Sequence, residues 1–109
     1  MLRNGIIEVG MNATLKLEMP TVRAICEKYG VRELRLFGSA LGPTFRAESD
    51  VDFLVEFQPD VRMGLITFLK MRDELQDLIG RPVDLVQAGG LKATIRDEVL
   101  ANNELLYAA

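Results

Sequence analysis

A chain of 109 residues with a formal net charge of −3 and 49% hydrophobic residues holds one domain around one core. Its mildly acidic balance offers no field to recruit nucleic acid or an anionic membrane, and no apolar run approaches the ~20 residues that span a bilayer. With no histidine and one cysteine, Ser-His-Asp and Cys-His chemistry, imidazole zinc sites and an internal disulfide are excluded. Catalysis, if present, rests on carboxylates, metal ions and backbone amides.

Residues 1–19 are the least legible and are left unassigned as an N-terminal extension; Gly5 to Val9 is a possible strand, and Met11 is an alternative start. There is no signal peptide with charged, apolar and small-residue regions. A lone cysteine, Cys26, fits a reducing cytoplasm and lies on the apolar stripe of a helix expected over Pro20–Tyr29, where Val22, Ile25, Cys26 and Tyr29 recur at helical spacing. Proline suits the first turn of that helix, and Gly30 suits the position just past its end.

A strand is expected over Leu34–Phe37, broken by Gly38-Ser39. Glycine there lets another group approach the backbone, and serine suits a helix start, where it holds an amide or a phosphate. A second strand is expected over Asp50–Phe57. Alternation puts Asp50 and Asp52 on one face, with Val51, Phe53, Val55 and Phe57 on the other. Two adjacent carboxylates repel each other; a divalent cation supplies a reason to place them at the head of so apolar a strand. Farther on, Gln58-Pro59-Asp60 reads as a turn. A long helix is expected over Met63–Ile79, with Leu65, Phe68, Leu69, Leu75, Leu78 and Ile79 as its buried stripe and Met63 and Met71 as packing residues. Val83–Val86 is a strand carrying one polar residue, Asp84, which alone reads as a satisfied buried carboxylate or an edge residue. An amphipathic helix from Leu91 to about Ala101, with Leu91, Ile95, Val99 and Leu100 apolar, and a final strand at Leu105–Tyr107 complete the pattern.

Gly38-Ser39, ten residues, then Asp50-Val51-Asp52 resembles the GSx10DxD signature of the minimal nucleotidyltransferases of the DNA polymerase β-like superfamily. The likeness continues through Arg46, Ser49, the strand FLVEF, Pro82 to Val86, Ile95 to Glu98 and Leu105 to Tyr107, and covers residues 20–107. It implies an α/β (α+β) fold in which a small mixed sheet has helices packed mainly on one face, with residues 20–109 as the nucleotidyltransferase domain. It implies two Mg2+ ions held by Asp50, Asp52 and Asp84, with Asp84 also helping to deprotonate the acceptor, and the phosphates of ATP bound by Gly38, Ser39 and Arg46. Gly42-Pro43 departs from the family, many members of which carry an arginine near position 42.

Chains of this size resemble antitoxins paired with HEPN-domain ribonuclease toxins, in the manner of a type VII-like toxin–antitoxin system. The implied reaction is transfer of AMP from ATP to a tyrosine of the toxin, in the cytoplasm, with no direct contact to nucleic acid or membrane. With no room for an acceptor-binding domain, a partner protein is expected to present the acceptor. A binding-only antitoxin that occludes its toxin, and a nucleotidyltransferase for a small-molecule acceptor, stand as alternatives.

Overall fold

The computed structural model describes residues 6–9, 15–42 and 48–109, with side chains from residue 15 onward. A hairpin of β1 (Ile6–Val9) and β2 (Leu15–Glu18) precedes helix α1 (Met19–Tyr29), strand β3 (Val31–Phe37) and a 3-10 turn at Gly38–Leu41. Strand β4 (Val51–Phe57), helix α2 (Leu65–Ile79), strand β5 (Val83–Gln87), a 3-10 turn at Ala88–Gly90, helix α3 (Ala93–Ala101) and strand β6 (Asn103–Ala108) follow.

The main sheet has the order β5-β4-β3-β6. Strands β4 and β5 run parallel, joined by the α2 crossover, while β3 is antiparallel to both β4 and β6. This is the mixed sheet expected from strands alternating with amphipathic helices. One face is dry: Leu34, Leu36, Val51, Phe53 and Val55 are at 0% exposure. They form one cluster with Val22, Ile25 and Cys26 of α1 and Met71 and Leu75 of α2. Helix α3 lies toward the opposite face, where its Leu100 lines a small cavity with Leu54, Arg35 and Asn103.

Local signals explain the boundaries. Pro20 sits in the first turn of α1, and Gly30 ends that helix at φ 69°, a left-handed cap whose N–H reaches the Cys26 and Glu27 carbonyls. A side chain at Gly30 would also collide with Val61 Cγ2, 2.5 Å from the position a Cβ would take. The Tyr29 hydroxyl donates to Glu74, which also pairs with Lys28 at 3.1 Å, tying α1 to α2.

Several expectations need adjustment. Strand β3 begins at Val31, three residues before the expected Leu34, and β6 runs over Asn103–Ala108. Strand β4 begins at Val51, where the Val51 amide donates to Pro82 O at 3.0 Å and pairing with Val83 starts, so Asp50 lies just ahead of the strand. The helix expected from Met63 starts at Leu65, which is 73% exposed and no part of a buried stripe. Only the middle of α2 crosses the sheet, so its first turn projects beyond the core. Helix α3 starts at Ala93 and buries Val99 alone, leaving Ile95 and Leu100 exposed, because it meets the sheet mainly through its last turn. The N-terminal extension contributes too: the possible strand at Gly5–Val9 falls on β1, and Leu15 and Leu17 of β2 are fully buried in the core.

Candidate active site

Register places the acidic residues together. Asp52 of β4 is the direct cross-strand partner of Asp84 of β5, and on its other side it partners Phe37 of β3, which in turn partners Asn103 of β6. Direct partners in a sheet point to the same face, so Asp84, Asp52, Phe37 and Asn103 form one row across all four strands. Because Val51, Phe53 and Val55 fill the dry face, the alternation of β4 turns Asp52 toward the face that α1 and α2 leave open. Asp84, on the edge strand, is exposed, and so is Asp50.

Asp52 carries the electrostatic signature of the cluster. Its carboxyl is pushed from 3.8 up to about 6, first by loss of water, then by the negative charges of Asp84 and Asp50, against a hydrogen bond from the Ser39 backbone amide that favours the charged form. Burial and two neighbouring carboxylates both work against the charge on Asp52. The reason for Gly38 is visible here. Its φ is 78°, and a Cβ at this position would strike the Asp52 carboxylate. The group that approaches the glycine backbone is thus the site's own aspartate, which can reach the Ser39 amide only because residue 38 has no side chain.

The helix start expected at Gly38-Ser39 is, in the described residues, a single 3-10 turn closed by the Gly42 N–H to Ser39 O at 3.0 Å. Beside it opens a cleft of about 810 Å3, walled on one side by Phe37, Gly38 and Ser39 and on the other by Ile95, Glu98 and Val99 of α3. That volume lies within the range of small-ligand sites, roughly 300–1,000 Å3. Arg46 lies outside the described residues. Among the described residues no three acidic or cysteine side chains converge to form a metal site by themselves. The donors present are hard carboxylate oxygens, the type that magnesium takes a few at a time, completing its shell with water and substrate phosphates.

No sequence signal singles out Arg35 or Asn103. The structure joins them: Arg35 Nη1 donates to Asn103 Oδ1 at 2.7 Å, and Asn103 Nδ2 donates to the Val99 and Leu100 carbonyls at 3.1 and 2.9 Å. No spacing rule could have paired residues 68 positions apart.

A mixed sheet with aspartates paired across parallel strands, next to a Gly-Ser turn and an open cleft, is the framework of a nucleotidyltransferase. The chain belongs to the nucleotidyltransferase domain family, whose model matches residues 20–106. It is 38% identical over 81 residues, 74% of this chain and 78% of the relative, to the protein adenylyltransferase MntA of Thermococcus cleftensis. It also superposes with a TM-score of 0.65 at 30% identity on a solved structure assigned as a minimal nucleotidyltransferase, covering 78% of this chain and 85% of that one. A crystal structure of a toxin–antitoxin with AMP-PNP shares the fold at a TM-score of 0.69 and 19% identity, covering 85% of this chain and 75% of that one.

Proposed function

We propose that this nucleotidyltransferase is a magnesium-dependent protein adenylyltransferase that moves AMP from ATP onto a tyrosine of a HEPN-type ribonuclease toxin and so acts as its antitoxin. The observation that carries the reading is the register that sets Asp52 directly beside Asp84 and against the Gly38-Ser39 turn, a charge cluster that a divalent cation and a polyphosphate would complete. Nucleotidyl transfer from ATP also accords with the relative named as a protein adenylyltransferase.

Asp50, Asp52 and Asp84 would hold the magnesium ions. When bound, these supply the positive charge that offsets the attacking and leaving oxygens of an in-line displacement. The chain's own residues do the rest. The Gly38-Ser39 turn and Arg46 bind the phosphates, and the cleft beside α3 receives the nucleoside. Asp84, at the exposed edge strand, takes the proton of the incoming phenol. The tyrosine oxygen forms its bond to the α-phosphorus as the bond to the bridging oxygen breaks, and pyrophosphate departs. Positioning and electrostatics carry most of such a reaction.

The toxin is the acceptor because the fold is shared with the antitoxin-containing structure and because Leu65, Ile66, Ile95, Leu100 and Leu105 leave large apolar side chains exposed for a partner. The free, buried Cys26 suits the reducing cytoplasm, where such a pair would work. No helix among the described residues is long and apolar enough to cross a membrane. One feature favours the second reading, neutralisation by occlusion: Gly42 stands near the position where many family members carry an arginine.

Co-expression with the toxin separates the two. Wild type should add AMP-sized mass increments to the toxin and restore growth, while Asp50→Asn/Asp52→Asn should do neither. Rescue by that double variant with the toxin unmodified would replace catalysis with occlusion.

A further inference from the structure

The hydrogen bonds of Asn103 bear on nucleotide binding. Its side chain sits at the β6 end of the row that contains Asp52 and Asp84. Its Nδ2 donates to the Val99 and Leu100 carbonyls in the last turn of α3, where Val99 O also accepts from the Asn102 backbone amide at 3.3 Å. Its Oδ1 is held by Arg35 Nη1 at 2.7 Å, and Arg35 Nη2 is anchored in turn on Glu33 at 2.7 Å. A half-buried chain of hydrogen bonds thus runs from β3 through one amide to the C-terminal end of α3. Both walls of the 810 Å3 cleft hang on this link: Gly38 and Ser39 continue directly from β3, and Ile95, Glu98 and Val99 belong to α3.

Among the described residues, helix α3 has little else to fix it. Of its nine residues only Val99 is buried, so apolar packing constrains it weakly and the amide link has a correspondingly large share in setting its distance from the Gly-Ser turn. We infer that Asn103, oriented by Arg35, is a positioning residue for nucleotidyl transfer: it sets the width of the nucleotide cleft by seating α3 opposite Gly38-Ser39. The inference rests on the proposed nucleotidyl-transfer reading, with the nucleoside in this cleft, and adds two residues to it.

The test measures Mg·ATP affinity by calorimetry and the KM and kcat of AMP transfer to the co-purified toxin, with wild type, Asn103→Ala, Arg35→Ala and Arg35→Lys. Asn103→Ala removes all three hydrogen bonds of the side chain, and if about one net hydrogen bond's worth of that loss reaches the cleft, Kd and KM for ATP rise about fivefold to tenfold. The fall in kcat should be smaller than the rise in KM, since the link does not touch the reacting atoms. Arg35→Lys, which retains a donor for Asn103 Oδ1, should recover part of the affinity lost in Arg35→Ala. Circular dichroism and melting curves confine the comparison to folded protein. If Asn103→Ala melts lower yet binds Mg·ATP like wild type, the residue is merely structural and the inference falls while the functional reading stands. If wild type itself binds no Mg·ATP, both fall together.

Discussion

Replacing Asp52 with Asn should make the protein more stable while removing its activity. The side chain keeps its size and its acceptor for the Ser39 amide, and it sheds the charge that burial and the neighbouring Asp84 and Asp50 disfavour. A rise of the carboxyl from 3.8 to about 6 corresponds to about 3 kcal/mol for a fully sequestered group. Asp52 is only half-buried, and solvent screening cuts that to roughly 1–2 kcal/mol. For a domain of this size the gain corresponds to an increase in Tm of about 5–10 °C at pH 7. The sign with pH is determined. The folded carboxyl holds its proton more tightly than the unfolded one, so folding takes up a proton between about pH 4 and 6. Wild-type stability should fall as pH rises through that window and then level off, whereas Asp52→Asn should lack this component. Thermal melts in EDTA from pH 3.5 to 8 measure the difference, which should shrink to a small remainder near pH 3.5, where the folded carboxyl is protonated and the unfolded one mostly so. A destabilised Asp52→Asn at pH 7, or a stability gap that does not change with pH, refutes the reasoning. AMP transfer by the same variant should be lost, because the charge that weakens the fold is the charge the reaction uses.

Gly38→Ala should lower stability by about 1–3 kcal/mol in urea titrations, since it combines a left-handed backbone with a collision against Asp52; in an Asp52→Ala background only the backbone part, about 1 kcal/mol, should remain. The Cys26 thiol is pushed up to about 12, first by burial and then by Glu27, so a disulfide reagent should leave it untouched in native protein and titrate one thiol in urea. Phe53→Ala, at a position with no exposure, should cost about 3–5 kcal/mol, a large share of a small domain's stability, and its denaturation midpoint measures that loss.

Much of the architecture is legible because it follows from local rules. Val51, Phe53 and Val55 alternate with Asp52 as a half-covered strand requires, and Pro20 and Gly30 bracket α1 at its ends. Placing Asp52 beside Asp84 needed the resemblance to a known family, since periodicity says nothing about which strands become neighbours. What stayed hidden depends on the third dimension. Leu15 and Leu17 lie in a four-residue strand too short for a pattern to emerge, and they become core only because α1 and α2 cover them. Leu65, Ile95 and Leu100 have helical spacing, but spacing cannot say how far a helix overhangs the sheet. Gly38 was legible as a place of close approach, though not that the approaching group would be Asp52. The Arg35–Asn103 bond could not be read at all, because a single long-range hydrogen bond leaves no periodic trace.

The position of β6 has a consequence for how the protein is made. Strand β3 receives its second neighbour from β6, 68 residues downstream at the Arg35–Asn103 contact. At about 5–20 residues per second, a nascent chain waits roughly 3–14 s between synthesis of the two. During that interval the sheet has a bare edge along Leu34-Arg35-Leu36-Phe37, a template for stray strand pairing, and the far wall of the cleft is missing. The cleft would therefore close only when β6 docks, and a chain interrupted before β6 would keep an open sheet edge prone to aggregate.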